Sequence, residues 1–169
     1  MKEIIYNQYN IDENELTDIV KRSKLVVENS KGELLFVKTI DNMFLIGGHV
    51  ENNESDLITL IREIKEEAGI DFIPNISDPY ICIKYLCKNY PDIGINTGYI
   101  TNYYCIKSDD LIPNISNLNL TEEEEKSGFK LVYIAKDKCI EELNNTMKIA
   151  KRVNVVRDTL DVIRQYLDK

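Results

Sequence analysis

The sequence predicts an α/β fold built on a mixed β-sheet, and three observations lead to this class. Short apolar segments separated by turn residues fill positions 24–46 and are typical of strands. A glycine-bearing loop followed by a short amphipathic helix occupies positions 48–70. Further strand-like segments follow, and the chain ends in a long segment with helical periodicity.

The chain length favours one domain. A chain of 169 residues suits a single unit with a full hydrophobic core, and 43% hydrophobic residues is ordinary for a globular protein. We therefore expect one domain over residues 1–169, with residues 1–22 as an N-terminal extension and 147–167 as a C-terminal helix.

The expected strands are separated by recognisable turns. The tetrapeptide Asn29-Ser30-Lys31-Gly32 is a hairpin signal between the first two strands, and Asp41-Asn42 marks the next turn. The predicted strands span residues 24–28, 33–40, 43–46, 80–88, 98–107 and 129–134.

Helices are expected in three places besides the central one. Residues 12–22 carry apolar side chains at helical spacing, and residues 135–143 form a second short candidate. Residues 147–167 have a longer apolar stripe, and Asn144-Asn145 is the predicted break before this helix.

The central helix has clear start and stop signals. Ser55 is a favourable N-cap, and Asp56 follows in the first turn, where the helix dipole favours an acid. Gly69 suits the left-handed position that ends many helices. One buried stripe is predicted, formed by Leu57, Leu60, Ile61, Ile64 and Ala68.

Three acids share one face of this helix beside the apolar stripe. Glu63, Glu66 and Glu67 are spaced i, i+3 and i+4. Carboxylates this close repel one another and raise their own pKa values unless a cation neutralises them. Hard divalent cations such as Mg²⁺ take oxygen ligands. The spacing alone leaves two interpretations open, a solvated acidic face or a metal site.

The overall charge excludes some partner classes. A net charge of −8 argues against a nucleic-acid backbone or an anionic membrane as the main partner. No apolar run approaches the length of a membrane span, and the first residues lack the apolar core of a signal peptide. The four cysteines include no CxxC pair, so we expect buried free thiols and a cytoplasmic location.

The single histidine limits the chemistry further. Because His49 stands alone, a histidine cluster cannot bind zinc, and a Ser-His-Asp triad has only one possible base. His49 directly follows Gly48, so it is either a substrate contact or an incidental loop residue.

The pattern from Gly48 to Ile70 resembles the Nudix box. Five residues separate Gly48 from Glu54, and seven more precede the run Arg62-Glu63-Ile64-Lys65-Glu66-Glu67-Ala68-Gly69-Ile70. Every fixed position of the box is present. The chain therefore resembles the Nudix hydrolases, which implies an α/β/α sandwich with a mixed β-sheet and a box that forms a loop-helix-loop.

The resemblance also implies a reaction. It is the metal-dependent hydrolysis of the pyrophosphate bond in a nucleoside diphosphate linked to another moiety X, giving a nucleotide monophosphate and phosphorylated X. Mg²⁺ is the implied cofactor, with Mn²⁺ as a substitute, and a small-molecule nucleotide derivative is the implied partner. Homodimers are common in the family. Metal ions favour such chemistry because they neutralise the anionic substrate and activate water.

Four helix residues receive roles from the resemblance. Glu66 and Glu67 are implied as the firmest metal ligands, and Glu63 as a ligand or the general base. Arg62 is implied to orient a carboxylate, which suits its planar guanidinium.

Residues outside the helix complete the expected site. The carbonyl of Gly48 is an implied metal ligand, and Glu54 either binds a metal through water or holds the loop. Glu124 in a late acidic turn is expected to complete the metal site or act as base. The expected catalytic residues are Glu54, Arg62, Glu63 and Glu67, and the expected substrate contacts are Gly47, Gly48, His49 and Tyr85.

Three other functions compete with hydrolysis. A non-catalytic Nudix-fold sensor would bind nucleotides but usually lacks some box acids, whereas all are present here. A purely structural domain would not be stabilised by Mg²⁺. Isomerisation of a prenyl diphosphate would need a catalytic cysteine that has no evident place in this chain. The substrate itself stays open. Some family branches carry a proline or a tyrosine at a set distance after the box, which implies ADP-ribose or dinucleoside polyphosphates respectively. Here Tyr85 stands at the proline position and residues 86–88 contain no tyrosine, so neither pattern is met.

Overall fold

The computed structural model describes residues 1–168, and a seven-stranded mixed sheet forms the centre of this region. The strands are β1 (Lys2–Tyr6), β2 (Asp18–Glu28), β3 (Glu33–Lys38), β4 (Met43–Phe44), β5 (Ile81–Cys87), β6 (Thr97–Lys107) and β7 (Lys130–Ala135). Their order is β1-β5-β6-β2-β3-β4, and β7 pairs with β3. The β1–β5 and β2–β6 pairs are parallel and the others are antiparallel, which confirms the mixed sheet.

Helices cover both faces of this sheet. They are α1 (Asp56–Ala68), α2 (Glu122–Lys126), α3 (Lys136–Met147) and α4 (Val153–Leu167). One buried cluster joins Val26, Phe36 and Ile83 to α3 and α4. A second cluster joins Leu25 and Leu35 to α1. Adjacent residues such as Leu25 and Val26 thus face opposite layers, as strand alternation requires, and the α/β/α sandwich is confirmed.

The prediction of a helix over residues 12–22 is wrong. Only Glu13–Glu15 forms a short 3₁₀ turn, and β2 begins at Asp18. Apolar spacing in this segment fits a helix, but β2 pairs with β6 at every position from Asp18 to Glu28. These long-range hydrogen bonds override a weak local periodicity. The first 22 residues therefore contribute β1 and the start of β2 to the sheet.

A gap between β2 and β3 positions the loop that precedes α1. The two strands leave the predicted hairpin paired at Glu28 and Leu34 and then diverge. At earlier positions of β2, the loop before α1 replaces β3 as the neighbour of β2. Ile46 forms a bridge with Leu25, and His49 forms a bridge with Arg22. The two glycines of the loop are thereby held against β2.

Helix α1 begins and ends where the sequence predicts. The Ser55 side chain accepts a hydrogen bond from the Ile58 amide, and Gly69 adopts a φ of 68° at the end. Asp56 has a further role, because it accepts hydrogen bonds from Ser23 at 2.6 Å, from Asn102 at 2.9 Å and from the Tyr104 hydroxyl. These three donors lie on β2 and β6, so Asp56 fixes the start of α1 to the sheet.

The break before the C-terminal helix lies later than predicted. Asn144 and Asn145 continue α3, and α4 starts only at Val153. The low helix propensity of asparagine is too weak to stop a helix that packs on the sheet. The actual break holds Arg152, whose amide donates to the Asn42 side chain at 2.9 Å.

Two properties expected from composition have structural counterparts. Cys82 and Cys139 are buried thiols, and Cys87 is half-buried. None of the helices formed by residues 1–168 is long and apolar enough to cross a membrane.

Replacing Gly69 by alanine is expected to destabilise the protein more than replacing Gly32. Both glycines have positive φ, 68° and 74°, which costs an alanine about 1–2 kcal/mol. A Cβ at Gly69 would also lie 2.4 Å from the Asn114 carbonyl oxygen, whereas a Cβ at Gly32 meets nothing within 4 Å. Urea unfolding of Gly69→Ala and Gly32→Ala measures both effects. Equal losses would contradict the crowded environment described for Gly69.

Candidate active site

A pocket of about 930 Å³ lies beside the loop and α1. Helix α2, the α3–α4 connection and α4 also contribute residues to its wall. The sequence-predicted residues that line it are Gly47, Gly48, His49, Arg62, Glu63, Glu67 and Glu124. Glu54, Glu66 and Tyr85 are not among its lining residues.

Arg62 is the centre of the ion-pair network on α1. Its Nε and Nη2 atoms donate to the two carboxylate oxygens of Glu54 at 2.9 and 3.0 Å. Its Nη1 donates to Glu63 at 2.8 Å and to Glu66 at 3.3 Å. Nη2 also donates to the His49 carbonyl at 2.8 Å. The planar guanidinium thus orients three acids and one loop carbonyl simultaneously.

Glu54 holds the loop to the helix. Besides pairing with Arg62, its carboxylate accepts hydrogen bonds from the Thr59 hydroxyl at 2.8 Å and from the Glu51 amide at 3.1 Å. These hydrogen bonds, that from Arg62 above all, lower the pKa of Glu54 to about 2. Of the two roles left open by the sequence, the observed contacts are those of a loop anchor.

Glu67 and Lys24 meet at Gly47. The Glu67 carboxylate is only 4% exposed and accepts a hydrogen bond from the Gly47 amide at 3.0 Å. The Lys24 ammonium donates to the Gly47 carbonyl. Burial raises the pKa of Glu67, and the nearby positive charge of Lys24 opposes this rise. A buried carboxylate and an ammonium are therefore held together by one glycine.

Gly48 leaves room for Glu63, but its carbonyl points elsewhere. A Cβ on Gly48 would lie 2.0 Å from Oε1 of Glu63, so only glycine allows this close approach. The Gly48 carbonyl, expected as a metal ligand, instead accepts the Ser23 amide at 3.0 Å in the pairing with β2. Because the backbone alternates along this pairing, the Gly47 carbonyl is the one turned toward the charged groups.

Glu124 lies in a short helix rather than in a solvated acidic turn. Thr121 caps α2, and the Glu124 carboxylate accepts hydrogen bonds from the Thr121 amide at 2.7 Å and its hydroxyl at 2.8 Å. This reciprocal capping box holds Glu124 half-buried in the pocket wall. Its negative charge contributes to the raised pKa of Glu67.

Tyr85 supports the pocket from behind instead of lining it. Its ring stacks on Tyr6 with centroids 4.6 Å apart, and its hydroxyl donates to Oδ1 of Asp158. Arg157 in turn donates to the Tyr85 hydroxyl at 2.9 Å. Tyr85 is held in this cluster because β5 lies under α4. The side chain that reaches the pocket is that of Asp158, whose pKa burial raises to about 6.

Several lining residues were missed by the sequence interpretation. Arg22 and Lys24 alternate along β2, and their partners Thr101 and Tyr103 on β6 also line the pocket. Asp158 reaches the pocket from α4. Arg22 falls in the segment predicted as a helix and Lys24 at the start of the predicted strand 24–28, so the sequence does not show that their side chains share one face of β2.

The oxygen-rich set fits a hard divalent cation in its chemistry. Glu63, Glu67 and Glu124 provide carboxylates in one pocket, and Gly47 provides a carbonyl. Throughout residues 1–168, however, no three acidic, histidine or cysteine side chains stand close enough to enclose a metal ion. The carboxylates are instead turned toward Arg62, the Gly47 amide and the capping hydroxyl of Thr121.

We expect the contribution of Glu54 to stability to disappear in acid. Its pKa in the folded protein, about 2, lies below the unfolded value of about 4.3, so the ionised form stabilises the fold above pH 4.3. As the pH falls toward 2, that contribution is lost. The difference in free energy of unfolding between wild type and Glu54→Gln should therefore shrink between pH 6 and pH 3 in urea titrations. A difference that stays constant over this range would contradict the described network.

The fold resembles solved structures of other proteins. The MutT protein from Methanosarcina mazei Go1 has a TM-score of 0.52 at 17% identity, covering 90% of this chain and 97% of that one. The MutT protein from Bacillus halodurans has a TM-score of 0.57 at 16% identity, covering 85% and 82%. The E. coli dihydroneopterin triphosphate pyrophosphohydrolase has a TM-score of 0.52 at 14% identity, covering 86% and 93%.

At these identities the structural likeness shows the fold alone, and no curated protein sequence matches the chain significantly. The family comes from a different comparison. The family model described as NUDIX domain matches residues 21–132, which is more than half of the chain and includes the whole box. The protein therefore belongs to the Nudix family of hydrolases.

Proposed function

We propose that the protein hydrolyses the pyrophosphate bond of a nucleoside diphosphate linked to another moiety X, in a metal-dependent reaction. The products are a nucleotide monophosphate and phosphorylated X. Family membership supports pyrophosphate hydrolysis in general. The observation that carries the finer proposal is the convergence of Glu63, Glu67 and Glu124 on one pocket beside Gly47.

The metal site is assigned to oxygen atoms of the box and of α2. Glu67, Glu66 and Glu124 would hold the cation, together with the Gly47 carbonyl, and Mg²⁺ is the proposed ion with Mn²⁺ as a substitute. When bound, the ion neutralises negative charge on the pyrophosphate and makes water a better nucleophile. Glu66 would join these metal ligands by turning away from Arg62. Its hydrogen bond from Arg62, at 3.3 Å, is the longest that the guanidinium makes.

The chain supplies positioning and proton transfer. Arg62 keeps Glu63 facing the pocket through a 2.8 Å hydrogen bond, and Gly48 leaves the space that Glu63 occupies. Glu63 is our proposed base that takes a proton from the attacking water, and Glu124, which also lines the pocket, is the second candidate base. Glu54 acts through Arg62 and is a positioning residue.

The organic part of the substrate is assigned to the wall formed by β4, β6 and α4. Phe44 and Tyr103 offer aromatic surface there. Asp158 also lines this wall and is not one of the proposed metal ligands. Its carboxylate therefore repels a phosphate group and accepts hydrogen bonds from a donor group. Base N–H groups or ribose hydroxyls meet this requirement. Arg22 and Arg152 provide positive charge for the phosphates.

Glu67→Gln and Glu124→Gln are expected to lower turnover strongly, whereas Glu125→Gln is expected to leave it nearly unchanged. Glu125 is the matched control because it belongs to the same short helix but does not line the pocket. The assay measures phosphate release from nucleoside triphosphates, ADP-ribose, NADH, dinucleoside polyphosphates and nucleotide sugars. A phosphatase added to the assay reveals monoester products, and each reaction is run with Mg²⁺, Mn²⁺ or EDTA.

The same assay separates the competing functions. Metal-dependent turnover of one substrate class that Glu67→Gln abolishes would support the proposal and identify the substrate. Wild-type rates in Glu67→Gln under saturating Mg²⁺ would overturn the assignment of the site. Tight nucleotide binding without turnover of any substrate would favour the non-catalytic sensor.

Asp158→Asn is expected to raise KM about tenfold at pH 8 while kcat changes little, because a hydrogen bond to a charged group is lost. The pH lies above the Asp158 pKa of about 6, so the wild-type carboxylate is ionised. Tyr85→Phe is the matched control, since it removes the hydroxyl that supports Asp158 without altering the pocket lining. Tyr85→Phe is expected to raise KM less than Asp158→Asn does, and an unchanged KM in Asp158→Asn would overturn the assignment of Asp158 as a substrate contact.

A further inference from the structure

Lys24 stands where the oxygen ligands of the proposed metal site converge. Its ammonium donates to the Gly47 carbonyl, and the Gly47 amide donates to Glu67 at 3.0 Å. Burial lowers the pKa of Lys24, and the negative charges of Glu67 and Glu63 oppose this change. A cation supplied by the chain therefore already sits among the groups that would hold a divalent ion.

The surroundings keep this ammonium at Gly47 without enclosing it. The Phe44 ring lies 5.1 Å from Nζ, within the range of a cation–π contact. The side chain is half-buried and lines the pocket, so its open side faces the cavity of about 930 Å³.

We propose that Lys24 is a resident cation that occupies a divalent-ion position in the free protein and must leave the Gly47 carbonyl before a metal can use it. The proposal rests on the metal-dependent function proposed above. One carbonyl oxygen cannot serve an ammonium and a divalent ion together, because the two cations would repel each other strongly at such short range. Displaced into the pocket, the Lys24 ammonium faces the space assigned to the substrate phosphates.

This arrangement has two consequences for the protein. Without a metal, the positive charge of Lys24 compensates part of the negative charge of the buried Glu67. With a metal, part of the binding free energy is spent on moving Lys24. Removal of the ammonium should therefore strengthen metal binding to the nucleotide-free protein, although it removes a partner from Glu67.

The test measures Mn²⁺ binding to nucleotide-free protein from the electron paramagnetic resonance signal of unbound Mn²⁺. Lys24→Met is expected to bind Mn²⁺ about tenfold more tightly than wild type, since it removes a competing charge. Arg22→Met is the matched control, because Arg22 is a pocket cation two residues earlier on β2 without a contact to the Gly47 carbonyl. It is expected to change the affinity less than Lys24→Met does. Equal or weaker binding by Lys24→Met would overturn the proposal.

A second measurement uses the wild-type protein and does not depend on the folding of Lys24→Met. Brief acetylation with an N-hydroxysuccinimide ester, followed by peptide mass spectrometry, reports the accessibility of each lysine. Saturating Mn²⁺ should increase labelling of Lys24 relative to Lys31, an exposed lysine of the β2–β3 hairpin. Unchanged or reduced labelling of Lys24 would contradict its displacement.

Glu67→Gln separates a failure of this inference from a failure of the proposed function. If wild type and Lys24→Met bind Mn²⁺ equally and Glu67→Gln does not, the metal site stands and only the role of Lys24 is overturned. If none of the three proteins binds Mn²⁺, the metal-dependent function is overturned and this inference with it.

Discussion

Neutralisation of the acids on α1 is the constraint on which the site depends. Glu63, Glu66 and Glu67 would repel one another if they faced a common space without cations. Arg62 pairs with two of them, and Lys24 compensates the third through Gly47. These contacts link α1, the preceding loop and β2 into one unit. The arrangement of charges therefore also explains why the two glycines are needed, because larger residues would separate the groups.

The sheet provides the frame in which this neutralisation is possible. Because β2 and β3 diverge after the hairpin, the loop with Gly47 and Gly48 can pair with β2 directly. Asp56 fixes the start of α1 to β2 and β6 by three hydrogen bonds. Burial within the site raises the pKa of Glu63 and Glu67. Helix α1 is thus held at both its first turn and its acidic face.

The sequence predicts most of this frame but only a minority of the residues that line the pocket. Both ends of helix α1 can be predicted from the sequence. Ser55 begins the helix and Gly69 ends it through local backbone geometry, which does not depend on the rest of the fold. The strand from Asp18 to Arg22 was not, because its conformation is decided by pairing with β6, which lies far away in the chain. The box acids were found from their spacing on one helix. Lys24 and Asp158 were missed, since only the folded sheet brings residues of β2 and α4 to the same cavity.

The pocket includes residues from beyond the segment that the family model matches. The segment matched by the family ends at residue 132, yet Arg152 and Asp158 line the pocket from beyond that point. Under the proposed function, the box acids and Glu124 lie within the matched segment, whereas part of the wall assigned to the organic group lies beyond it. Changes in α4 would then alter which molecule is accepted while the box stays intact. Members of one family can in this way catalyse the same reaction on different substrates. Family membership alone therefore does not identify the substrate of a given member.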